Sequence, residues 1–223
     1  MNDSLWFHGT EEAWRDLADR KYWATVQPSH LAVEREFERL DAETVQKMAP
    51  AQFYVWLHDK YFYWKYTAVN RLATTRKQLV AYRAEDPELS ALEAVHRDWF
   101  QMDRDDIAEA LQVAGRIPGL GPAGASGLLA VLFPSQFGTV DQFVVDALFH
   151  VHDLPEHDWL EPVHTRLFPK QHGEPHRLPG QIRAADAVML IRILRRQASD
   201  LNDRFHSTFW TPRRVDMALW GDR

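Results

Sequence analysis

Helical periodicity runs through most of this chain, whereas the apolar–polar alternation that is typical of β-strands is almost absent. The longest helical pattern covers residues 179–205, and it carries apolar residues at helical spacing. Proline stands where a first helical turn is expected, at Pro50 before residues 51–66 and at Pro212 before the last pattern. We therefore predict an all-α fold.

Local start and stop signals divide the chain into helices. Ser29 precedes an apolar periodic segment and is predicted to cap it, and Asp86-Pro87 is predicted to open the next one. Gly115 follows residues 103–114, where a C-terminal glycine belongs.

Residues 150–180 contain six histidines and five prolines and are predicted to form a surface loop. Their spacing fits no metal-ligand template, so no metal site is predicted.

Composition narrows the class of protein. The chain has 223 residues, 45% of them apolar, which is enough for one unit spanning residues 1–223 with a real core. It has no cysteine, which excludes disulfides and thiolate-bound metal clusters. No apolar run is long enough to cross a membrane and no signal peptide is recognisable, so we expect a cytoplasmic protein.

The formal net charge of −6 argues against bulk electrostatic attraction to nucleic acid. Lysine and arginine nevertheless concentrate in residues 60–83 and 192–214. These segments either form two ordinary solvated helix faces or a local basic surface on one side of the molecule. A basic surface would bring together Arg76, Lys77, Arg195 and Arg196.

A glycine- and proline-rich turn, Pro118-Gly119-Leu120-Gly121-Pro122, separates two predicted helices. Glycine lets an anion approach the backbone N–H groups closely, and the start of the following helix favours negative charge. Such a turn can bind a phosphate without reading sequence. A plain helix–helix connection is the alternative.

Gly119, the first glycine of this turn, lies 22 positions before a lone carboxylate, Asp141, in the sequence Thr139-Val140-Asp141. With this spacing, residues 107–148 resemble the helix-hairpin-helix DNA glycosylase superfamily, which includes endonuclease III, the adenine glycosylases and the 8-oxoguanine glycosylases. Residues 56–75 and 210–220 are similar to a bacterial group with an 8-oxoguanine-glycosylase-like fold. The resemblance implies a two-lobed helical architecture, with the hairpin and catalytic segment at about residues 103–148.

The resemblance also implies roles for residues. Asp141 would stabilise positive charge on the deoxyribose while the base leaves, although it can equally be the N-cap of residues 142–148. The DNA backbone would bind the hairpin, whose carbonyls can also hold a monovalent cation. No other cofactor is expected. The residues expected at the backbone are Gly119, Gly121, Ala123, Arg76 and Lys77.

Two departures from the family pattern bear on the chemistry. Ala123 occupies the position where strand-cleaving members carry a lysine, so the hairpin offers no amine to form a Schiff base. Asp146 stands where many members have an arginine. The resemblance therefore implies a monofunctional enzyme that leaves an abasic site and has no lyase activity. Whether a lysine outside the hairpin supplies that activity stays open.

A base must leave the duplex before it can be excised, which requires an aromatic pocket. Residues 53–67 are rich in aromatic side chains, of which half or more should be core. The pocket candidates are Trp56, Lys60, Tyr63, Trp64 and Asn70.

Several functions remain open at this level. The excised base could be damaged, as in DNA repair, or hypermodified, for example glucosylated, as in antiviral defence against phage DNA. A DNA-binding module without catalysis and a helical interaction protein with an accidental hairpin are the alternatives from other classes. DNA is the expected partner of a monomeric protein.

Overall fold

The computed structural model describes residues 1–174, 176 and 178–223. Within these residues 71% are helical and none lies in a β-strand, which confirms the all-α prediction. The α-helices are α1 (Asp3–His8), α2 (Glu11–Arg15), α3 (Tyr22–Thr25), α4 (Leu31–Glu38), α5 (Ala42–Gln46), α6 (Pro50–Trp56), α7 (Phe62–Lys65), α8 (Val69–Glu85), α9 (Ser90–Gln101), α10 (Ile107–Ala114), α11 (Pro122–Leu132), α12 (Gln142–Phe149), α13 (His157–Leu167), α14 (Ala184–Phe205) and α15 (Pro212–Gly221).

Two helices, α6 and α15, begin at proline as predicted. Pro50 is the first residue of α6, and Thr211 caps α15 by accepting a hydrogen bond from the Arg214 N–H at 3.2 Å. Gly115 directly follows α10. The Ser29 prediction was wrong because a 3₁₀ turn, Pro28–His30, precedes α4, and the Ser29 hydroxyl lies 3.0 Å from the ring of His30 instead.

The start predicted at Asp86-Pro87 lies three residues too early, since Pro87 was expected where Ser90 is the first helical residue. Helix α8 runs to Glu85 and α9 begins at Ser90. The Asp86 carboxylate accepts a hydrogen bond from the Ala91 N–H at 3.0 Å, so it satisfies the first turn of α9 from outside the helix.

Two π-helical turns interrupt longer helices. One spans Asp16–Lys21 between α2 and α3, and the other spans Leu57–Tyr61 between α6 and α7. Such turns carry one extra residue per turn and rotate the residues that follow. The second turn sets the direction in which the end of α7, with Trp64 and Lys65, faces the rest of the molecule.

The surface loop predicted for residues 150–180 was wrong over much of its length. Residues 157–167 form α13 and Pro169–His172 form a 3₁₀ turn. Leu160, Val163 and Leu167 are buried at helical spacing, a pattern that the surrounding histidines and prolines obscure. Pro175 and Arg177, which belong to the same segment, lie outside the described residues.

The buried residues form one connected core, in which large aromatic side chains such as Trp6, Trp14, Phe53 and Trp99 take part. Helix α15 packs against α3, α12 and α14, and α10 packs against α11. This arrangement brings the start of α11, the start of α12, the end of α7 and α15 to one cavity. Among the helices of the described residues, none is long and apolar enough to cross a membrane.

Candidate functional site

A cavity of about 620 Å³ opens between segments from across the chain. Its volume lies within the usual range of sites that bind small ligands. The hairpin and Asp141 lie on its wall together. The other side chains that line it include Tyr22, His30, Glu34, Trp64, Lys65, Tyr66, Arg71, Ala123, Thr139, Gln142, Phe143, Arg213, Trp220 and Arg223.

The hairpin needs glycine at its first position. Gly119 has a φ angle of +92°, and a Cβ built there would lie 2.7 Å from the Cγ2 atom of Thr75 in α8. The hydroxyl of Tyr66 donates a hydrogen bond to the Gly119 carbonyl at 3.3 Å. The turn is therefore packed against the segment that connects α7 and α8.

Gly121 has a different reason to be glycine. Its φ angle of −85° suits any residue, and a Cβ at this position would meet no atom within 4 Å. It is the N-cap of α11, and within the described residues the N–H groups of Gly121, Ala123 and Gly124 have no acceptor. These unpaired donors at the start of an 11-residue helix form a surface to which an anion can bind.

Asp141 is the N-cap of α12, which was the structural one of the two roles predicted for it. One carboxylate oxygen, Oδ1, accepts hydrogen bonds from the N–H groups of Phe143 at 2.9 Å and Val144 at 3.2 Å. The other oxygen accepts none from the described residues, and the side chain is half-buried on the cavity wall. Capping thus leaves one oxygen of Asp141 for a second function.

The extended segment before Asp141 is fixed from two sides. The buried hydroxyl of Ser126 in α11 accepts a hydrogen bond from the Val140 N–H at 3.0 Å. The buried carboxylate of Asp216 in α15 accepts one from the Thr139 N–H. Helices α11 and α15 therefore fix the position of Asp141 relative to the hairpin.

A buried polar network underlies the cavity. The guanidinium of Arg213 donates to the carboxylates of Asp216 at 2.9 Å and Glu34 at 2.7 Å. Glu34 also accepts hydrogen bonds from the hydroxyl of Tyr22 at 2.6 Å and from the indole N–H of Trp64. Burial raises the pKa of Asp216 to about 6, although the neighbouring Arg213 opposes that shift. With its donors and acceptors paired, this network is suited to rigidify the cavity wall.

Lys65 enters the same cavity from the end of α7. Its aliphatic stem crosses α11 at Gly127, where a Cβ would lie 3.0 Å from the Cδ atom of Lys65. Its ammonium makes no hydrogen bond or ion pair with the described residues. Burial lowers the pKa of Lys65, and the carboxylates of Asp141 and Asp216 offset part of that shift.

The five predicted pocket residues occupy different environments. Trp64 lines the cavity, whereas Trp56 is buried in the core against Phe53. Lys60 is exposed and pairs with Glu36 at 2.7 Å. Tyr63 stacks on His30 with ring centroids 4.4 Å apart, and Asn70 is exposed at the start of α8.

The predicted basic residues lie outside the cavity wall, but both basic segments reach it. Arg76 donates to the His58 carbonyl, and Lys77 is exposed on α8. Arg195 donates to the carbonyls of Gln136 and Arg104, and Arg196 pairs with Glu156. The cations that line the cavity from the two segments are Lys65, Arg71 and Arg213.

An aromatic wall of the same cavity was not predicted from the sequence. Phe143 and Trp220 meet edge to face, with ring centroids 4.7 Å apart. The guanidinium of Arg223 lies 3.7 Å from the Phe143 ring centroid. Phe143 lies two residues after Asp141, so its place near that carboxylate could have been predicted from the sequence. Trp220 and Arg223 are distant in sequence, and only the packing of α15 brings them to the cavity.

A histidine cluster lies beside α12. The buried ring of His164 approaches the carboxylate of Asp146 at 3.0 Å and the ring of His172 at 2.8 Å. Asp146, which departs from the family pattern, thus contacts a histidine of α13. The described residues contain no group of three or more side chains that could hold a metal ion.

Comparison with known proteins finds no family model that matches the chain, and neither a curated protein nor a solved structure matches it. The chemistry of the cavity is therefore inferred from its own residues.

Proposed function

We propose that this protein is a DNA N-glycosylase that takes a base out of the duplex, hydrolyses its bond to deoxyribose and leaves an abasic site. The observation that carries this proposal is that Asp141, the unpaired N–H groups of the hairpin and an aromatic wall share one cavity. A base bound there would have its sugar near Asp141 while the flanking phosphate met the hairpin.

Asp141 supplies the charge that the reaction needs. Breaking an N-glycosidic bond develops positive charge on the sugar ring, and a carboxylate fixed nearby stabilises it. The Oδ2 atom of Asp141 is available, since capping uses Oδ1. The hydrogen bonds of Ser126 and Asp216 to the preceding segment support this role, because they limit the movement of the carboxylate.

The DNA contact is supported by local charge. Four cationic side chains, Lys65, Arg71, Arg213 and Arg223, line the cavity together with two carboxylates, those of Glu34 and Asp141. The side chains that line the cavity thus include more basic than acidic residues, although the net charge of the chain is −6. The free N–H groups at the start of α11 add donors that can bind a phosphate without sequence preference. The same proposal takes the protein as a cytoplasmic monomer that acts on DNA.

A hypermodified base is the second candidate substrate. The size of the cavity supports it, because a base with a small lesion would not fill the cavity. A volume of about 620 Å³ is in the range that encloses a drug-sized ligand, which is larger than a nucleobase. Polar side chains of Gln27, Gln142 and Gln181 line it and can bond to hydroxyl groups of a sugar substituent. This second candidate is a defence enzyme acting on glucosylated phage DNA.

The test is incubation with a panel of duplexes that each carry one damaged or modified base, including a glucosylated one. Released base is detected by mass spectrometry, and DNA binding is measured on the same duplexes. We expect release from at least one of them. Binding without release from any duplex would favour a non-catalytic DNA-binding module, and absence of both would leave a helical interaction protein.

A further inference from the structure

Lys65 is a lysine whose surroundings are unusual for that side chain. Three exposed lysines, Lys21, Lys47 and Lys60, pair with neighbouring carboxylates, for example Lys47 with Glu43 at 3.1 Å, whereas Lys77 is exposed to solvent. Lys65 is half-buried in the cavity wall and has no such partner among the described residues. Its Nζ lies 6.0 Å from the centroid of the Trp64 ring, at the outer limit of a cation–π contact. That contact engages none of the N–H groups of Lys65, so this amine is available to a molecule in the cavity.

The path of the Lys65 side chain depends on the sequence of α11. Gly127 lies in the middle of that helix, where glycine destabilises. A Cβ on Gly127 would lie 3.0 Å from Cδ and 3.2 Å from Cε of Lys65. The missing side chain therefore makes the room through which the stem of Lys65 passes.

We infer that Lys65 is an amine nucleophile that reacts with the abasic sugar after the base has been released, and so gives the protein a strand-cleaving activity. This inference rests on the proposed function, since base excision supplies the sugar aldehyde in the cavity. It revises the expectation drawn from Ala123, which concerned only the hairpin. Here the amine would come from α7.

The reaction balances with water as the only co-reactant. The lone pair of the neutral Lys65 Nζ adds to the C1′ aldehyde carbon of the ring-opened sugar, and the resulting carbinolamine takes up one proton from solvent and loses water to form a C1′–Nζ iminium. A proton then leaves C2′, to the Asp141 carboxylate or to water, and its electron pair forms a double bond as the C3′–O bond breaks. The 3′-phosphate leaves with the electrons of that bond, and water hydrolyses the imine to regenerate the amine.

The electrostatics of the cavity suit a neutral amine. Burial lowers the pKa of Lys65, so a larger fraction is unprotonated at neutral pH than for an exposed lysine. The charged groups facing it are Asp141 at the start of α12, Asp216 and Arg213 in α15, and Glu34 in α4. Arg213 also lowers this pKa, although it is paired with Asp216 and Glu34, and burial is the largest cause of the shift.

The test uses a duplex with a preformed abasic site, so that it does not depend on base excision. The full-length protein is incubated with it in the presence of borohydride, and the covalent adduct is measured by denaturing electrophoresis. We expect the wild type and the exposed-lysine control Lys47→Gln to form the adduct and Lys65→Gln to lose it by at least about 100-fold. Without borohydride, the first two should cut the strand.

Peptide mapping of the wild-type adduct by mass spectrometry gives a second readout that does not depend on the folding of a variant. Attachment at Lys65 supports the inference, whereas attachment at another amine, an adduct undiminished in Lys65→Gln or no adduct in the wild type overturns it. If base is released from the duplex panel but no adduct forms, the proposed function stands and the Lys65 inference fails. If an adduct forms at Lys65 but no base is released from any duplex, the Lys65 inference stands and the proposed base excision fails.

Discussion

The carboxylate of Asp216 is fully buried between Arg213 and the Thr139 N–H, and its pKa is raised from 3.8 to about 6. Below pH 3.8 the carboxyl is protonated in both the folded and the unfolded chain. As the pH rises towards 6, the unfolded chain loses this proton first, so the contribution of the group to the free energy of unfolding decreases. The decrease continues until the folded state has also ionised.

We therefore predict that the wild type loses stability relative to Asp216→Asn as the pH rises from about 4 to 6, by up to about 1.4 kcal/mol per pH unit. Urea unfolding of both proteins at several pH values measures the difference, in which titrating groups that do not interact with Asp216 cancel. A difference that stays constant, or that grows in favour of the wild type with rising pH, would show that Asp216 is not the buried acid described.

At the scale of the helix, the start of α11 should bind phosphate through its backbone. Gly121→Leu should fold normally, because the φ angle of −85° suits leucine and the space around a Cβ is open. The new side chain would cover the N–H groups of Gly121 and Ala123. We predict that affinity falls by about 10-fold or more, to a similar extent for unrelated DNA sequences.

The matched control adds leucine to another exposed helical site, Gln112→Leu in α10, and should leave DNA affinity unchanged. Fluorescence anisotropy with two unrelated duplexes measures the effect. Unchanged affinity of Gly121→Leu would mean that the hairpin is only a structural turn. A change at Gly119 would be less informative, since its φ angle of +92° and its contact with Thr75 would disturb the fold as well.

The helices themselves differ in how far the sequence predicted them. α6 and α15 begin at prolines whose fixed φ and missing N–H suit a first turn, so their starts could be predicted from local chemistry. α13 was missed because Pro162 and two histidines interrupt its pattern, and its helix is stabilised by burial of Leu160 and Val163 in the core, where α13 packs against α12. Tertiary packing decides such segments.

For the whole molecule, binding should show a modest dependence on salt. The net charge of −6 opposes DNA, and among the cations of the cavity Arg213 is already paired with two carboxylates. If about three phosphates are neutralised, the logarithm of the association constant should fall with the logarithm of salt concentration at a slope of about −3. DNA-binding titrations at salt concentrations from roughly 50 to 300 mM measure this slope. A slope near −8 or steeper would contradict this prediction, because it would require many more phosphate contacts than the cations of the cavity can make.

The site could be predicted only where its parts are close in the sequence. The hairpin and Asp141 lie within one stretch, and the structure brings both to the same cavity. Tyr22, Glu34 and Arg213 come from separate parts of the chain and meet only through the packing of α15 against α3. No local spacing connects them. Lys65 was visible as a residue type, but its lack of an ion pair with the described residues and its passage over Gly127 are properties of the folded chain.

The most direct test of the account compares base release by the wild type and Asp141→Asn on the duplex from which the wild type releases most base. Asparagine can still accept the hydrogen bonds that cap α12, so folding and DNA affinity should be retained, but it carries no charge to offset the developing cation. We predict that single-turnover release falls by about 100-fold or more. Release at the wild-type rate by a folded Asp141→Asn protein would contradict the assignment of Asp141 as the catalytic carboxylate.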